Sequence, residues 1–313
     1  MIRPIDVFCV GETLIDFIGN QLDIGIDATK DYHRYLGGSP TNVATNMTRL
    51  GMNVKLASTI GDDGFGDYIT NKLNENLVDM SYVRRDAIQP TSVIFISRSS
   101  GTADFIPYRK ADVMITENQI PYEMLEQTKI FHTTAFALSK NPARNTILAK
   151  AREANEAGCR LSIDINYSSV IWPDRARAME CLKEYCQYDP LVKISEDDME
   201  RLFDEKLTHE EIFTFFHEHL KISTVCLTLG KKGVKLCQEG GEQIILPAEK
   251  VAKIMDATGA GDAFWSGFLF AYTKDFEMER CLKIALSLAA IKLQNIGRLP
   301  QNVDLLSQLL EID

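Results

Sequence analysis

Basic clusters are missing from this 313-residue chain, in which 34 Lys and Arg face 44 Asp and Glu for a formal charge of −10. Binding to nucleic acid or to anionic lipid needs clustered cations, so neither is an expected partner. Long apolar runs are missing too. The longest, such as Ile284 to Ile291 with one Ser, fall well short of the roughly 20 residues that span a bilayer. The opening Met1-Ile2-Arg3-Pro4-Ile5-Asp6 passes into a strand pattern without the apolar segment of a secretion signal. Cysteine pairing motifs are also lacking. The seven cysteines are odd in number, scattered and free of any Cys-x-x-Cys, and most lie in apolar runs such as Val7-Phe8-Cys9-Val10. They read as reduced, buried thiols of a soluble cytoplasmic protein. His217 and His219 stand two apart on a helical stretch, on different faces, and make a poor metal pair.

What is present is ordinary globular composition, 45% hydrophobic and 25% charged, which excludes disorder. Short apolar runs alternate with longer helical patterns, the signature of βαβ units around a largely parallel sheet. Val7 to Val10 suits a strand buried on both faces. Ser39-Pro40 reads as an N-cap followed by an N1 proline, with Val43, Met47 and Leu50 at helical spacing and Gly51 as the stop. Asn141-Pro142 opens a helix that ends at Gly158, and Leu161, Ile163 and Ile165 then alternate as a strand. Val225, Leu227 and Leu229 form a similar strand ending at Gly230. Two helices, about Ala260 to Tyr272 and Glu277 to Gln294, are apolar nearly all round and should be buried. Leu14 to Leu36 and Thr91 to Arg109 break this rhythm with β-rich pieces. The expected architecture is one αβα domain over residues 1–313, with a small β lid made from inserts at about 14–36 and 91–109.

The densest chemical signal is Asp256-Ala257-Thr258-Gly259-Ala260-Gly261-Asp262, running directly into an apolar helix. Small residues at 259 to 261 let backbone N–H groups approach a ligand, and the helix adds the positive end of its dipole. That is an anion cradle suited to charge on a transferred phosphoryl group. Asp262, in the first turn, can face the same space and accept a proton.

These residues resemble the C-terminal signature of the PfkB, or ribokinase-like, carbohydrate kinases. Gly37-Gly38-Ser39-Pro40-Thr41-Asn42-Val43-Ala44 is similar to the family's N-terminal signature, and Gly11-Glu12-Thr13-Leu14-Ile15-Asp16-Phe17 to the opening of fructokinase-like members. Gly61-Asp62-Asp63-Gly64-Phe65-Gly66 and Thr228-Leu229-Gly230-Lys231-Lys232-Gly233 fall in matching order. The resemblance implies a ribokinase-like αβα sandwich with a β lid, using ATP and Mg2+ to phosphorylate a sugar hydroxyl.

It further implies Asp262 as general base, with the N–H groups of Gly259, Ala260 and Gly261 around the γ-phosphoryl oxygens. Asp16, Gly37, Gly38, Asn42 and Arg109 would form the sugar side. Lys193, Ser195, Thr228, Gly230, Gly233 and Thr258 would form the nucleotide side. The family's Asn-x-x-Glu appears as Ser195-Glu196-Asp197-Asp198. Asp198 would thus reach Mg2+ through water, unless Ser195 and its acids are simply a helix cap. Asp256 either supplies a ligand to K+ or caps the turn.

For the acceptor, the motifs lean toward fructose. Kinases of 2-keto-3-deoxygluconate and 5-dehydro-2-deoxygluconate commonly carry Asp-x-Asn-x-Arg, where this chain has Asp164-Ile165-Asn166-Tyr167-Ser168. Ser168 cannot pair with a substrate carboxylate. A Rossmann dehydrogenase lacks its Gly-x-Gly-x-x-Gly after the first strand, and no Gly-x-x-x-x-Gly-Lys-Ser/Thr of the P-loop class occurs. A silent sugar-binding regulator would have no need of Asp262. Alternating apolar residues in the lid (Val93 and Phe95, Ile94 and Ile96) would leave one face exposed in a monomer, which predicts a lid-to-lid homodimer.

Overall fold

The computed structural model describes residues 3–100, 103–241, 243–300 and 304–312. A nine-stranded sheet runs, in spatial order, through Gln243–Leu246, Val234–Gln238, Thr224–Thr228, Leu191–Ser195, Arg160–Ile165, Thr128–Thr134, Ile5–Val10, Val54–Gly61 and Val83–Asp86. Neighbours pair parallel except in the terminal hairpin, where Thr224–Thr228, Val234–Gln238 and Gln243–Leu246 are antiparallel. The strand Ile5–Val10 is central because Val7, Phe8, Cys9 and Val10 are apolar on both faces and all fully buried. Helices cover both sheet faces, which gives the ribokinase-like αβα sandwich.

The chain leaves Ile5–Val10 toward Val54–Gly61 on one side and later returns to Thr128–Thr134 on the other. The sheet therefore has a topological switch point at the carboxyl ends of Ile5–Val10 and Thr128–Thr134, where open α/β sheets bind ligands. Gly11-Glu12-Thr13 and Thr134 stand at that crevice. The two irregular inserts supply a separate four-stranded sheet, ordered Tyr32–Gly37, Leu14–Leu22, Val93–Arg98, Phe105–Tyr108. Strand alternation gives it two unlike faces. Asp16, Ile94 and Ile96 look inward, and Phe17, Phe95 and Tyr108 look outward.

Asp63 anchors the second insert. Its carboxylate caps the helix Gly64–Glu75 through Phe65 N–H and Gly66 N–H, and also accepts from Thr91 N–H and Oγ1. One motif thus fixes a helix start and a lid strand together.

The helices Ala260–Thr273 and Met278–Leu293 are buried as their composition requires, with Phe264, Trp265, Phe268 and Phe270 almost wholly enclosed. They come close together at Gly267, where an added Cβ would lie 2.9 Å from Ala285 Cα and 3.0 Å from Ile284 O. Ala favours a helix over Gly by about 1 kcal/mol, but forcing backbone apart costs about 1–3 kcal/mol. We expect Gly267→Ala to lower the thermal midpoint by several degrees. A midpoint equal to or above the parent's would mean the two helices have room to spare.

Candidate active site

The site begins with two closely packed glycines. Gly37 makes room for Asp16, whose Oδ2 lies 2.2 Å from where a Cβ would stand. Gly38 has φ of 103° and would bring a Cβ within 2.2 Å of Glu12 O. Gly38, not Ser39, is the N-cap of the helix Ser39–Arg49, and no side chain caps it. The serine read from sequence as a cap has a different task. Ser39 Oγ donates to Asp262 Oδ1 at 2.6 Å, while Asn42 Nδ2 donates to Asp262 Oδ2 at 2.7 Å. One turn along, Asn46 Nδ2 donates to Ser266 Oγ at 3.2 Å, and Ser266 Oγ donates to Asp262 O at 2.6 Å. The first turns of two helices are laced together, with the Asp262 carboxylate fixed between them.

Gly259 caps the second of these helices in the left-handed region, at φ of 75°. Ala260 N–H turns back to Ala257 O at 3.1 Å, so the cradle rests mainly on the N–H groups of Gly259 and Gly261 at the helix start. Two buried ammonium groups flank it. Lys193 Nζ would lie 3.1 Å from a Cβ at Gly261, and Lys292 Cε 3.6 Å from one at Gly259. Lys193 Nζ donates to both oxygens of Asp164 at 2.8 Å. Burial works to strip the Lys193 proton, but Asp164 and Asp198 outweigh it and hold the ammonium above its ordinary value. Asp164 itself is pushed up to about 6, burial prevailing over the pull of Lys193.

Asp16 faces this space from the lid. Burial first, then the charges of Asp262 and Asp256, push its carboxyl up to about 7. Glu12, pushed by burial to about 8, accepts from Ser39 N–H at 3.0 Å and from Thr134 Oγ1 at 3.3 Å. It ties the switch point to the start of the helix Ser39–Arg49.

A cleft of about 310 Å³ opens between the lid and the sheet. Ile94, Ile96 and Phe105 line its lid side, and Asn166, Asp198 and Thr258 its floor. Asp198 does form a reciprocal cap with Ser195, accepting from Ser195 N–H at 3.2 Å and Ser195 Oγ at 2.6 Å through Oδ2. Oδ1 faces Arg201 at 3.6 Å. Thr228 ends its strand with Oγ1 directed to Ile194 O at 3.4 Å, and Gly230 follows at φ of 55°. Gly233 is required by packing, since a Cβ there would sit 2.0 Å from Leu246 O.

Arg109 is not brought to the cleft. Its Nε donates to Asp112 at 2.7 Å, and Nη1 donates to Phe136 O and to Ser139. With its side chain 1% exposed, this guanidinium is spent inside the protein, which corrects the substrate-binding expectation. Ser39, Glu12, Asp164 and Lys292 were missed. The first two lay inside motifs quoted for other residues, and Lys292 was visible as the one charge in Ala289-Ala290-Ile291-Lys292-Leu293.

Residues 4–302 match the model of the pfkB family of carbohydrate kinases. An ATP-dependent 6-phosphofructokinase of Thermoanaerobacterium thermosaccharolyticum is 34% identical over 94% of this chain and 90% of its own. Fructokinase-1 of Oryza sativa is 30% identical over 94% and 93%. The fructokinase structure of Halothermothrix orenii superposes with a TM-score of 0.80 at 32% identity, covering 91% of this chain and 98% of that one. The chain thus belongs to the pfkB family and is an ATP-dependent sugar kinase.

Proposed function

We propose that the protein transfers the γ-phosphoryl group of ATP to a hydroxyl of fructose, with Asp262 as general base. The observation that carries this reading is the position of Asp262. Hydrogen bonds from Ser39 and Asn42 fix both its oxygens at the mouth of the anion cradle. There it can take the hydroxyl proton while Gly259 and Gly261 N–H groups receive charge on the phosphoryl oxygens. Asp16, Gly37, Gly38 and Asn42 would hold the sugar. Lys193, Thr228, Gly230 and Thr258 would flank the nucleotide phosphates. Magnesium brought with ATP would supply positive charge against its phosphates. The Asp198 carboxylate lines the cleft beside Thr258 and suits a water-mediated contact to that ion.

A phosphorylated acceptor is the second reading. A cavity of about 230 Å³ beside Asn42 and Gly259 is lined by Arg34, Arg49, Lys72 and Arg298. The 6-phosphofructokinase relative lends this reading support. Fructose and fructose 6-phosphate compared by kcat/KM with ATP separate the two, and we expect fructose to win. With the better acceptor, Asp262→Asn should reduce kcat by roughly 10²-fold or more while leaving affinity for both substrates largely intact. Turnover near the parent's would remove Asp262 from the role of base.

Asp16 sets the pH dependence. A carboxyl raised to about 7 is protonated below that pH, where one oxygen donates instead of accepting and the charge-assisted hold on sugar hydroxyls is lost. Acceptor kcat/KM should therefore climb with pH through about 7, and Asp16→Asn should abolish the climb. A parent profile already flat between pH 6 and 8 would contradict it.

We also infer a cytoplasmic homodimer joined through the lids. Phe17 stacks on Phe95 at 5.0 Å between ring centroids, with Tyr32 and Tyr108 edge-on to Phe95. Ile106 and Tyr108 on the same face are 43% and 57% exposed. An apolar sheet face of this kind is suited to its own copy. The parent should sediment at twice its 35.2 kDa chain mass and Phe95→Asp at the chain mass. A parent that sediments as a single chain at micromolar concentration would end the idea.

A further inference from the structure

Asp256 stands where the family resemblance would put a ligand to a monovalent cation, and the residues around it do not fit an exchangeable one. The carboxylate is fully buried. Its Oδ1 accepts from Thr258 N–H at 3.0 Å, and its Oδ2 accepts from Gly297 N–H at 3.0 Å. A cation is already in place: Lys292 Nζ lies 3.5 Å from Oδ2 and donates to Asn295 O at 3.0 Å. The Lys292 side chain is 3% exposed. It leaves the last turn of the helix Met278–Leu293, where backbone carbonyls carry the negative end of the helix dipole. A carboxylate, a loop carbonyl and a helix C-terminus are together the oxygen-rich, negative surroundings that a monovalent cation would seek. Here the chain's own ammonium fills them.

We propose that Lys292 is a tethered internal cation of the anion cradle, which makes phosphoryl transfer independent of added K+. Its stem passes beneath Gly259, with Cε 3.6 Å from the position of a Cβ there, so the charge sits directly behind a cradle donor. It also joins the two segments that hold the cradle from below. Asp256 fixes Thr258 on one side and Gly297 on the other, Met255 N–H donates to Leu293 O at 2.8 Å, and Lys292 bridges Asp256 to Asn295. Lys292 thus acts as a positioning residue. It balances the buried Asp256 charge behind the cradle, so that the N–H groups of Gly259 and Gly261 meet a phosphoryl group without that charge uncompensated at their backs. Removing the ammonium would leave Asp256 as an uncompensated buried charge, and a small cation would then be drawn from solvent to replace it.

The inference rests on the kinase activity but not on which sugar is phosphorylated. The parent should turn over equally in K+, Na+ and tetramethylammonium at matched ionic strength, and K+ should not raise its thermal midpoint. Lys292→Ala opens the space. In tetramethylammonium its kcat should drop by about 10-fold to 10²-fold, the range for losing a group that orients catalytic ligands, with acceptor KM little changed. Addition of K+ or ammonium ion should then restore kcat and raise the thermal midpoint of this variant alone. Lys292→Met fills the space without charge, so it should show the loss and no restoration. Stimulation of the parent by K+, or a Lys292→Ala kcat equal to the parent's in tetramethylammonium, overturns the proposal. So does a Lys292→Ala loss that no small cation repairs, since a purely structural ion pair predicts that result. If neither variant folds, the cation comparison on the parent decides by itself. The midpoint measurement needs no turnover, so a mistaken acceptor would not be confused with a mistaken role for Lys292.

Discussion

Everything chemical in this protein depends on the contact of two helix beginnings at one carboxylate. The helices Ser39–Arg49 and Ala260–Thr273 each bring unpaired N–H groups and the positive end of a dipole to the same small volume. Left alone, those ends would repel each other. Asp262 lies between them and accepts from Ser39 and Asn42 with both oxygens. The bonds span 223 and 220 residues of sequence, so the site exists only once both ends of the chain have folded onto the sheet. The glycines of both motifs serve this approach, since Gly38 and Gly259 take up the left-handed backbone that starts each helix at the right angle.

Such a junction creates an electrostatic problem that neighbouring residues resolve. Asp16, Asp256 and Asp262 all bear on one pocket, and the charges of the other two help raise the Asp16 carboxyl. Two lysines bring positive charge to the same region. Each is committed to its own acid, Lys193 to Asp164 and Lys292 to Asp256. Asp262 itself receives hydrogen bonds from neutral groups, Ser39 and Asn42. His132, next to this network in the sheet, is driven down to about 3 by burial and by Lys193, so it stays neutral and adds no further charge.

The fold was legible in the sequence because period and composition carry it. Val7 to Val10 is apolar on both faces and becomes a central strand, and the two apolar helices after Asp262 become buried ones. The inserts at 14–36 and 91–109 form the second sheet. The cradle was legible because seven adjacent residues contain it. What escaped depends on partners far away in sequence. Ser39 obeys every local rule for an N-cap, yet its hydroxyl serves Asp262 instead, because Gly38 starts the helix one residue earlier. Arg109 sits beside lid residues in sequence, but Asp112, three positions on, draws its guanidinium into the interior. At Ser195 and Asp198 the local rule does hold, as a reciprocal cap, and Asp198 still lines the cleft.

The lid shows how a period-two pattern can serve two surfaces at once. Pairing of Leu14–Leu22 with Val93–Arg98 sets Asp16 beside Ile94, and Phe17 beside Phe95. Even positions of these strands therefore face the cleft, and odd positions build the outer aromatic face. A slip of one residue in that register would exchange the faces, turning Asp16 to solvent and Phe17 and Phe95 into the cleft. Asp63 guards against the slip. By holding both N–H and Oγ1 of Thr91 two residues before Val93, it fixes where the inner strand begins. The cleft wall and the outer face thus share one constraint, set by a carboxylate that lies on neither.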